Sequence, residues 1–326
     1  MLRECLDALS ASQDADVEAV IVDNGSGETP SEWGVNALPV VQILHYPRRM
    51  GFAAACNRGV EAARGKYIFL LNNDAVVEPD TVRILVNALE TAPDAAAVVP
   101  KILNYNNPTQ FDYSSAAGGA LDRFGFPFAR GRIFDHIEQD AGQYDRLAEV
   151  FWGAGAALML RRDLWLQAGG LEQTFFAHME EIDLLWRMRL IGYRVLAIPQ
   201  AVVRHRGAAT IRSGSFLKAY LNHRNSLAML LRNYSLPNIA RYVPARLLMD
   251  AAFAGWSLIK LDFKNYWAVI RAWFWLIFSI NSIIGARKRI QGLRKVSDDI
   301  ILKQLYAHSV VWKFFIGRKR TFSDLS

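Results

Sequence analysis

The chain has 326 residues, 52% of them apolar, enough for one large domain or one domain with an appendage, and for a sizeable core. Its two cysteines, Cys5 and Cys56, stand in no CxxC or Cys/His metal spacing, so a disulfide framework is not expected and free thiols in a reducing compartment are. The net charge of +7 hides an asymmetry: residues 1–203 hold 17 Lys/Arg against 26 Asp/Glu, a net of −9, and residues 204–326 hold 21 against 5, a net of +16.

A basic, aromatic C-terminal third calls for an anionic partner. Its charges are interleaved with long apolar runs, which suits an anionic membrane surface better than nucleic acid. The opening MLRECLDALSASQDAD is charged and helix-like, unlike a signal peptide.

In chain order, residues 1–12 read as an amphipathic helix with Leu2, Cys5, Leu6 and Leu9 on one face. VEAVIVDNGSG (17–27) is a buried strand ending in a polar turn, and VVQILHY (40–46) is a second strand. GFAAACNRGVEAARG opens a helix stopped by Gly65. KYIFLLNNDAVVEPD is a third strand that breaks at Asn72; Pro79 and Asp80 start the next helix; AAAVVPKIL is a fourth strand. This alternation predicts a parallel, doubly wound α/β sheet, in which ligands bind at the carboxyl ends of the strands. Asp23, Asn24 and residues 72–74 fall at such ends.

Residues 104–150 are polar, with weak periodicity, and read as loops and short strands over a site. FWGAGAALMLRRDLWLQAGGL (151–171) reads as a strand and a helix ending at Gly169 and Gly170. EEIDLLWRMRLIG is a helix running to Gly192, and YRVLAIP is a short strand followed by VVRHRG. From about Ser215 the chain reads helical, with a break at Pro237. Residues 266–286 carry one charge, Arg271, and at about 20 residues are long enough to span a bilayer. Arg271, Asn281 and the clustered tryptophans favour a helix lying in the interface. The basic run ARKRIQGLRK follows at once, as expected at a cytoplasmic, anionic surface.

Six motifs carry a resemblance. VIVDNGSGE, GFAAACNRG, YIFLLNNDAVVEPD, GAGAALMLRRDLW, FFAHMEEIDLLWR and AVVRHRG occur in the order and rough spacing of family-two glycosyltransferases with a GT-A fold. The rhamnosyltransferase-like branch is the nearest match, over about residues 1–295. The resemblance implies an α/β GT-A fold with a mostly parallel sheet and helices on both faces, over residues 1–212, and a basic, helical membrane-associating region over residues 213–326. It implies sugar transfer from a nucleotide-diphosphate donor to a hydroxyl of a glycan or lipid-linked glycan, at the cytoplasmic face of the membrane, with Mg²⁺ or Mn²⁺ as cofactor. Nucleic acid is not an expected partner, and no GxGxxG follows a strand as a dehydrogenase would need.

Carried over by position, Asp23 resembles the carboxylate that contacts the nucleotide base, with Asn24, Asn57 and Asn73 beside the nucleotide. Asp74 resembles the last acid of the Asp-x-Asp-like metal motif, whose first acid is Asn72 here. His205 resembles the late histidine that reaches back to metal or diphosphate. Glu181 resembles the general base, with Asp183 next after it. Trp152, Gly153, Gly155 and Glu180 resemble the floor of the substrate pocket. Blander readings stay open: Asp23 as a turn cap, Glu180, Glu181 and Asp183 as acids favoured at a helix N-terminus, and Arg187 as an i+4 partner of Asp183. Adjacent helical residues point about 100° apart, so Glu180 and Glu181 do not face one pocket equally.

Family members open with an apolar strand ending in Thr-Tyr-Asn or Ser-Tyr-Asn, followed by a helix of the type LxxCLxSL. MLRECLDALSA matches that helix, so the resemblance implies about 10–15 further residues ahead of Met1 in the natural protein, one strand and its turn. Without them, the alternative is a non-catalytic, membrane-associated scaffold.

Overall fold

The structure, a computed structural model, describes residues 1–12, 16–27, 41–207 and 214–325. The expected boundary between residues 212 and 213 lies outside them. Helix α1 (Leu2–Ser10) buries Cys5 and Leu6. Strands β1 (Ala19–Asn24) and β2 (Val41–Tyr46) pair in parallel, Ala19 with Val41 through Asn24 with Tyr46. Helix α2 (Phe52–Ala62) covers them, and Gly59 lets it approach Val22 closely.

Strand β3 (Tyr67–Leu71) ends at the Asn-Asn-Asp turn, β4 (Ala75–Val77) follows, and α3 (Thr81–Thr91) leads to β5 (Ala95–Asn104). A small antiparallel sheet comes next, made of β6 (Gly119–Leu121), β7 (Pro127–Ala129), β8 (Arg132–Ile133) and β9 (His136–Ile137). The chain returns through β10 (Ala148–Glu149) and β11 (Ala157–Arg161) to α4 (Arg162–Ala168), α5 (Glu180–Ile191) and β12 (Arg194–His205). The main sheet has the order β10-β12-β5-β11-β3, with β4 on β12.

The GT-A-type α/β architecture is present, but the sheet is mixed and not mostly parallel. In the six-stranded sheet only β12 and β5 pair in parallel; β11 runs antiparallel to both of its neighbours. Parallel entry needs a crossover from the far end of the sheet. Here the chain comes back from the small sheet at the near end, so β11 enters in the opposite direction. YRVLAIP and VVRHRG form one strand, continuous across an irregularity between Ile198 and Val202.

Alternate residues of the central strands serve two cores, as strand geometry requires. Val98, Met159 and Leu196 pack under α3 with Leu85 and Leu89. Val99, Leu158 and Leu160 pack on the other face with α4, α5 and the next helix, α6 (Phe216–Asn233). Met229, Leu230 and Tyr234 belong to that same cluster, so α6 is built into the sheet's own core.

Helices α7 (Leu236–Ile259), α8 (Phe263–Phe278) and α9 (Ile280–Leu293) follow. Pro237 stands in the first turn of α7, where its missing N–H costs nothing. The apolar run 266–286 is not one helix: α8 and α9 meet at a 71° bend. Among the described residues no single helix is long and apolar enough to cross a membrane, though the bent pair meets the requirement jointly in length and composition. Helices α10 (Asp298–Gln304) and α11 (Val310–Phe315) close the chain against the small sheet, where Val310 and Phe314 pack on Phe128 and Ile133.

Candidate active site

The register of β4 against β12 builds the first half of the site. Ala75 stands opposite His205, which brings Asp74 to the histidine. His205 Nε2 lies 3.1 Å from Asp74 Oδ1 and 3.3 Å from Asn72 Nδ2. Its other ring nitrogen lies 3.1 Å from Asp112 Oδ1. All three charged side chains are buried. Burial by itself would push the imidazole down, but the hydrogen bonds and charges of Asp112 and Asp74 outweigh it and raise His205 to about 9.

Asp112 is the partner missing from the sequence reading. It sits in FDYSS, where no periodicity singles it out. Its one local signal is the Asx turn: Asp112 Oδ1 accepts from the Ser114 N–H at 2.8 Å and from the Ser114 hydroxyl at 2.5 Å. Burial raises the Asp112 carboxyl, yet His205 and Ser114 together bring it below the ordinary range.

The second half of the site is the start of α5. Glu180 is 3% exposed and Glu181 is half-buried; Oε2 of each has no hydrogen-bond partner among the described residues. Glu181 Oε1 accepts from the Gly155 N–H at 3.4 Å. Burial raises both carboxyls; Glu180 is driven further, well above the ordinary range, because Glu181's charge adds to burial. The two halves meet through the segment before β11. Gly155 reaches Glu181, and the next residue's carbonyl, Ala156 O, accepts from the Asn72 N–H at 3.0 Å.

Asp183 is not in the pocket. It is fully buried, with Oδ2 held by Arg187 at 2.9 Å and Oδ1 by Asn233 at 2.8 Å, and Arg232 lies 3.6 Å away. Burial would raise its carboxyl, but Arg232 and Arg187 hold it below the ordinary range. Both oxygens are committed to joining α5 and α6, so Asp183 is an ion-pair centre and not a second base. The i+4 partner Arg187 is where the sequence predicts it.

The other expected residues divide. Asp23 and Asn24 lie at the end of β1. Asp23 accepts from the Ser26 N–H at 2.9 Å and faces His45 Nδ1 at 2.6 Å. Burial raises Asp23, but Ser26 and His45 bring it low. Asn24 accepts from the Met50 N–H at 2.7 Å and donates to Gly51 O at 3.3 Å, tying the loop after β2 to the strand end. Asn73 is exposed at the tip of its turn. Asn57 is spent inside the fold: its amide donates to Leu171 O at 2.8 Å and its carbonyl accepts from Leu171 N–H at 2.9 Å. Trp152 is likewise buried, with its ring on Gly119 and its indole N–H on Ala120 O at 2.8 Å, so it is packing and not an open pocket wall. Gly153 and Gly155 are required by close approach, since a Cβ would stand 2.5 Å from Val99 Cγ2 and 2.5 Å from Phe52 Cζ.

Residues 1–163, half of the chain, match the family model for glycosyl transferase family 2. The chain belongs to that family. It is 26% identical over 253 residues to the N-acetylglucosaminyl-diphospho-decaprenol L-rhamnosyltransferase of Mycobacterium tuberculosis, covering 72% of this chain and 81% of the relative. It is 25% identical over 209 residues to the pre-mycofactocin glycosyltransferase of the same organism, covering 63% of this chain and 40% of that one. Among solved structures, GalNAc-T7 with UDP, GalNAc and Mn²⁺ matches with a TM-score of 0.50 at 16% identity, over 66% of this chain and 41% of that one. At that identity the likeness is one of fold alone.

Proposed function

We propose that this chain is an inverting, metal-dependent glycosyltransferase. It would move a sugar from a nucleotide-diphosphate donor to a hydroxyl of a glycan or lipid-linked glycan, in cell-surface polysaccharide synthesis at the cytoplasmic face of the membrane. The observation that carries the reading is the link between the two halves of the site: a carboxylate–histidine pair and the Glu180–Glu181 pair joined through Gly155 and Ala156.

The donor set fits a hard divalent cation. Asp74 would supply a carboxylate and His205, in its neutral form, an imidazole nitrogen, with Asp112 holding the far ring nitrogen as a carboxylate does behind a ligating histidine. Among the described residues no group of three His, Cys, Asp or Glu converges as a metal cage. Mg²⁺ is commonly held by one or two carboxylates together with substrate phosphates. When bound, such an ion would neutralise the departing diphosphate. The chain's own residues do the rest. Glu181 takes the proton of the acceptor hydroxyl, whose oxygen bonds to the anomeric carbon on the face opposite the leaving oxygen. Gly155 orients the Glu181 carboxylate, and Glu180 lies beside it with its carboxyl raised by burial and by Glu181's charge. Asp23 and Asn24 fix the strand end where a base would lie.

The test is calorimetric titration with UDP and dTDP, with and without Mn²⁺, followed by a transfer assay. Binding that needs Mn²⁺ supports the proposal; a folded chain that binds neither nucleotide overturns it. Asp112→Asn, which keeps the shape and loses the charge behind His205, is expected to weaken Mn²⁺ binding by about 10–100-fold. An unchanged Mn²⁺ affinity in that variant would remove Asp112 from the site.

The membrane part of the proposal rests on an exposed apolar crest. Ile259, Leu261, Trp267 and Phe278 are more than half exposed, Phe278 at 83%; Ile259 ends α7, Leu261 lies on the turn after it, and Trp267 and Phe278 lie on α8. Lys260, Lys264, Lys288 and Arg289 are their neighbours in sequence, and Asp262 is the one acid between residues 251 and 297. Exposed large apolar residues interleaved with basic ones are the pattern of an interfacial helix on anionic lipid. Trp267→Asp with Phe278→Asp is expected to lower binding to phosphatidylglycerol vesicles at least about tenfold, since each large side chain contributes about 1.5–3 kcal/mol when buried. Co-sedimentation equal to that of the wild type would place the contact elsewhere.

A further inference from the structure

The loop that delivers the glutamate pair is held in a costly conformation by residues of another element. Phe176, His178 and Met179 have φ of +64°, +69° and +72°. Non-glycine residues keep such values only where their surroundings over-determine them, and such outliers gather where geometry is used. Met179 is also the N-cap of α5, so this backbone sets the direction in which Glu180 and Glu181 leave the loop.

The holding groups are on α6. Asn225 is fully buried, and its Nδ2 lies 3.0, 2.9 and 2.8 Å from the carbonyl oxygens of Phe175, Ala177 and His178. Three acceptors thus share the two hydrogens of one amide. The orientation of that amide is fixed by Arg224, whose Nε donates to Asn225 Oδ1 at 2.8 Å. Arg224 Nη2 donates in addition to Thr174 O at 2.7 Å and Phe175 O at 2.9 Å. The guanidinium lies 4.7 Å from the Trp275 ring, on α8. On its other side the loop holds α2, with Phe176 O accepting from the Phe52 N–H at 2.8 Å.

We propose that Arg224 and Asn225 are positioning residues for the sugar-transfer step. They donate to four of the five carbonyls from Thr174 to His178 and thereby fix the strained turn that sets Glu181 against Gly155. The C-terminal helices then do more than attach the protein to a surface: a continuous set of contacts runs from Trp275 on α8 through Arg224 and Asn225 to the base. This rests on the reading of Glu181 as the base.

Asn225→Asp tests it, because the shape is kept while the donating amide becomes an acceptor facing three carbonyls. Expected are UDP–Mn²⁺ affinity and donor KM within about threefold of wild type and kcat lower by about 100-fold, the loss that a displacement near 1 Å produces. Hydrogen exchange at residues 175–182 should speed up while α6 keeps its protection. Wild-type kcat with unchanged exchange in that loop would overturn the proposal. Should Asn225→Asp fail to fold, Arg224→Lys carries the same test, since it keeps the charge and loses the fork on Thr174 and Phe175. The exchange measurement needs no activity. A wild-type chain that binds no nucleotide would sink the enzyme reading while a loosened loop in the variant still upheld the clamp; normal transfer with a rigid loop would sink the clamp alone.

Discussion

Glu181→Gln is expected to lower kcat by about 10²–10⁴-fold, the range that a general base contributes, with UDP–Mn²⁺ binding retained. The paired carboxyls argue for this assignment over its neighbours. Glu180 and Glu181 are adjacent and both raised, so they titrate as a unit, with Glu180 pushed further up because Glu181's charge adds to burial. Glu181 is the less buried of the two, and the Gly155 N–H stabilises its charge. Two carboxyls whose surroundings set their protonation apart are a means of assigning roles. The base acts when ionised, so kcat/KM should rise with pH through a value above the ordinary glutamate range near 4.3, and Glu181→Gln should abolish that limb. Glu180→Gln is the control. A carboxyl neutral when folded and ionised when unfolded contributes less to stability as pH rises from its unfolded value toward its folded one. The wild type should therefore melt lower than Glu180→Gln at pH 7 and match it near pH 4, with most of the turnover kept in the variant. Full activity in Glu181→Gln would move the base elsewhere.

What the sequence tells about this site follows from what periodicity can encode. The carboxyl ends of β1 and β3, with Asp23, Asn24 and residues 72–74, were legible because apolar runs stop there at polar turns. The direction of β11 was not, since a short apolar strand reads alike in either sense and only the path of residues 105–150 decides it. The division of labour among Glu180, Glu181 and Asp183 was half legible: helix geometry separates the first two, but only the arrangement of Arg187, Arg232 and Asn233 reveals that Asp183 faces α6. Asn57 and Trp152 sit in the right motifs, and their polar atoms turn out to serve Leu171 and Ala120 backbone groups. Asp112 and Asn225 lay beyond reach because each acts through a partner more than 40 residues away in sequence. The break at Ser279 was equally hidden, as neither proline nor glycine marks it within an apolar run.

Asp74→Ala should remove the Mn²⁺-dependent part of nucleotide binding and lower kcat/KM by about 10³-fold, which corresponds to about 4 kcal/mol of transition-state stabilisation and is in the range of a lost electrostatic contact to a leaving group. The size of the effect follows from how few groups share the task. The residue two positions earlier is Asn72, so this turn brings a single carboxylate, which His205 Nε2 faces at 3.1 Å. A neutral side chain at position 74 leaves the imidazole, with Asp112 behind it, as the sole donor of the pair. Because Asp74 is anchored through its backbone as well, with its carbonyl accepting from the Arg206 N–H at 3.0 Å, the β4–β12 register should survive the substitution and the variant should melt close to wild type. Calorimetry in the presence and absence of Mn²⁺ separates the cases. Binding of UDP by Asp74→Ala that is still enhanced by Mn²⁺ to the wild-type extent would place the ion on other groups. A folded wild-type chain that binds no nucleotide at all would instead favour a scaffold that has kept this carboxylate–histidine pair without its use.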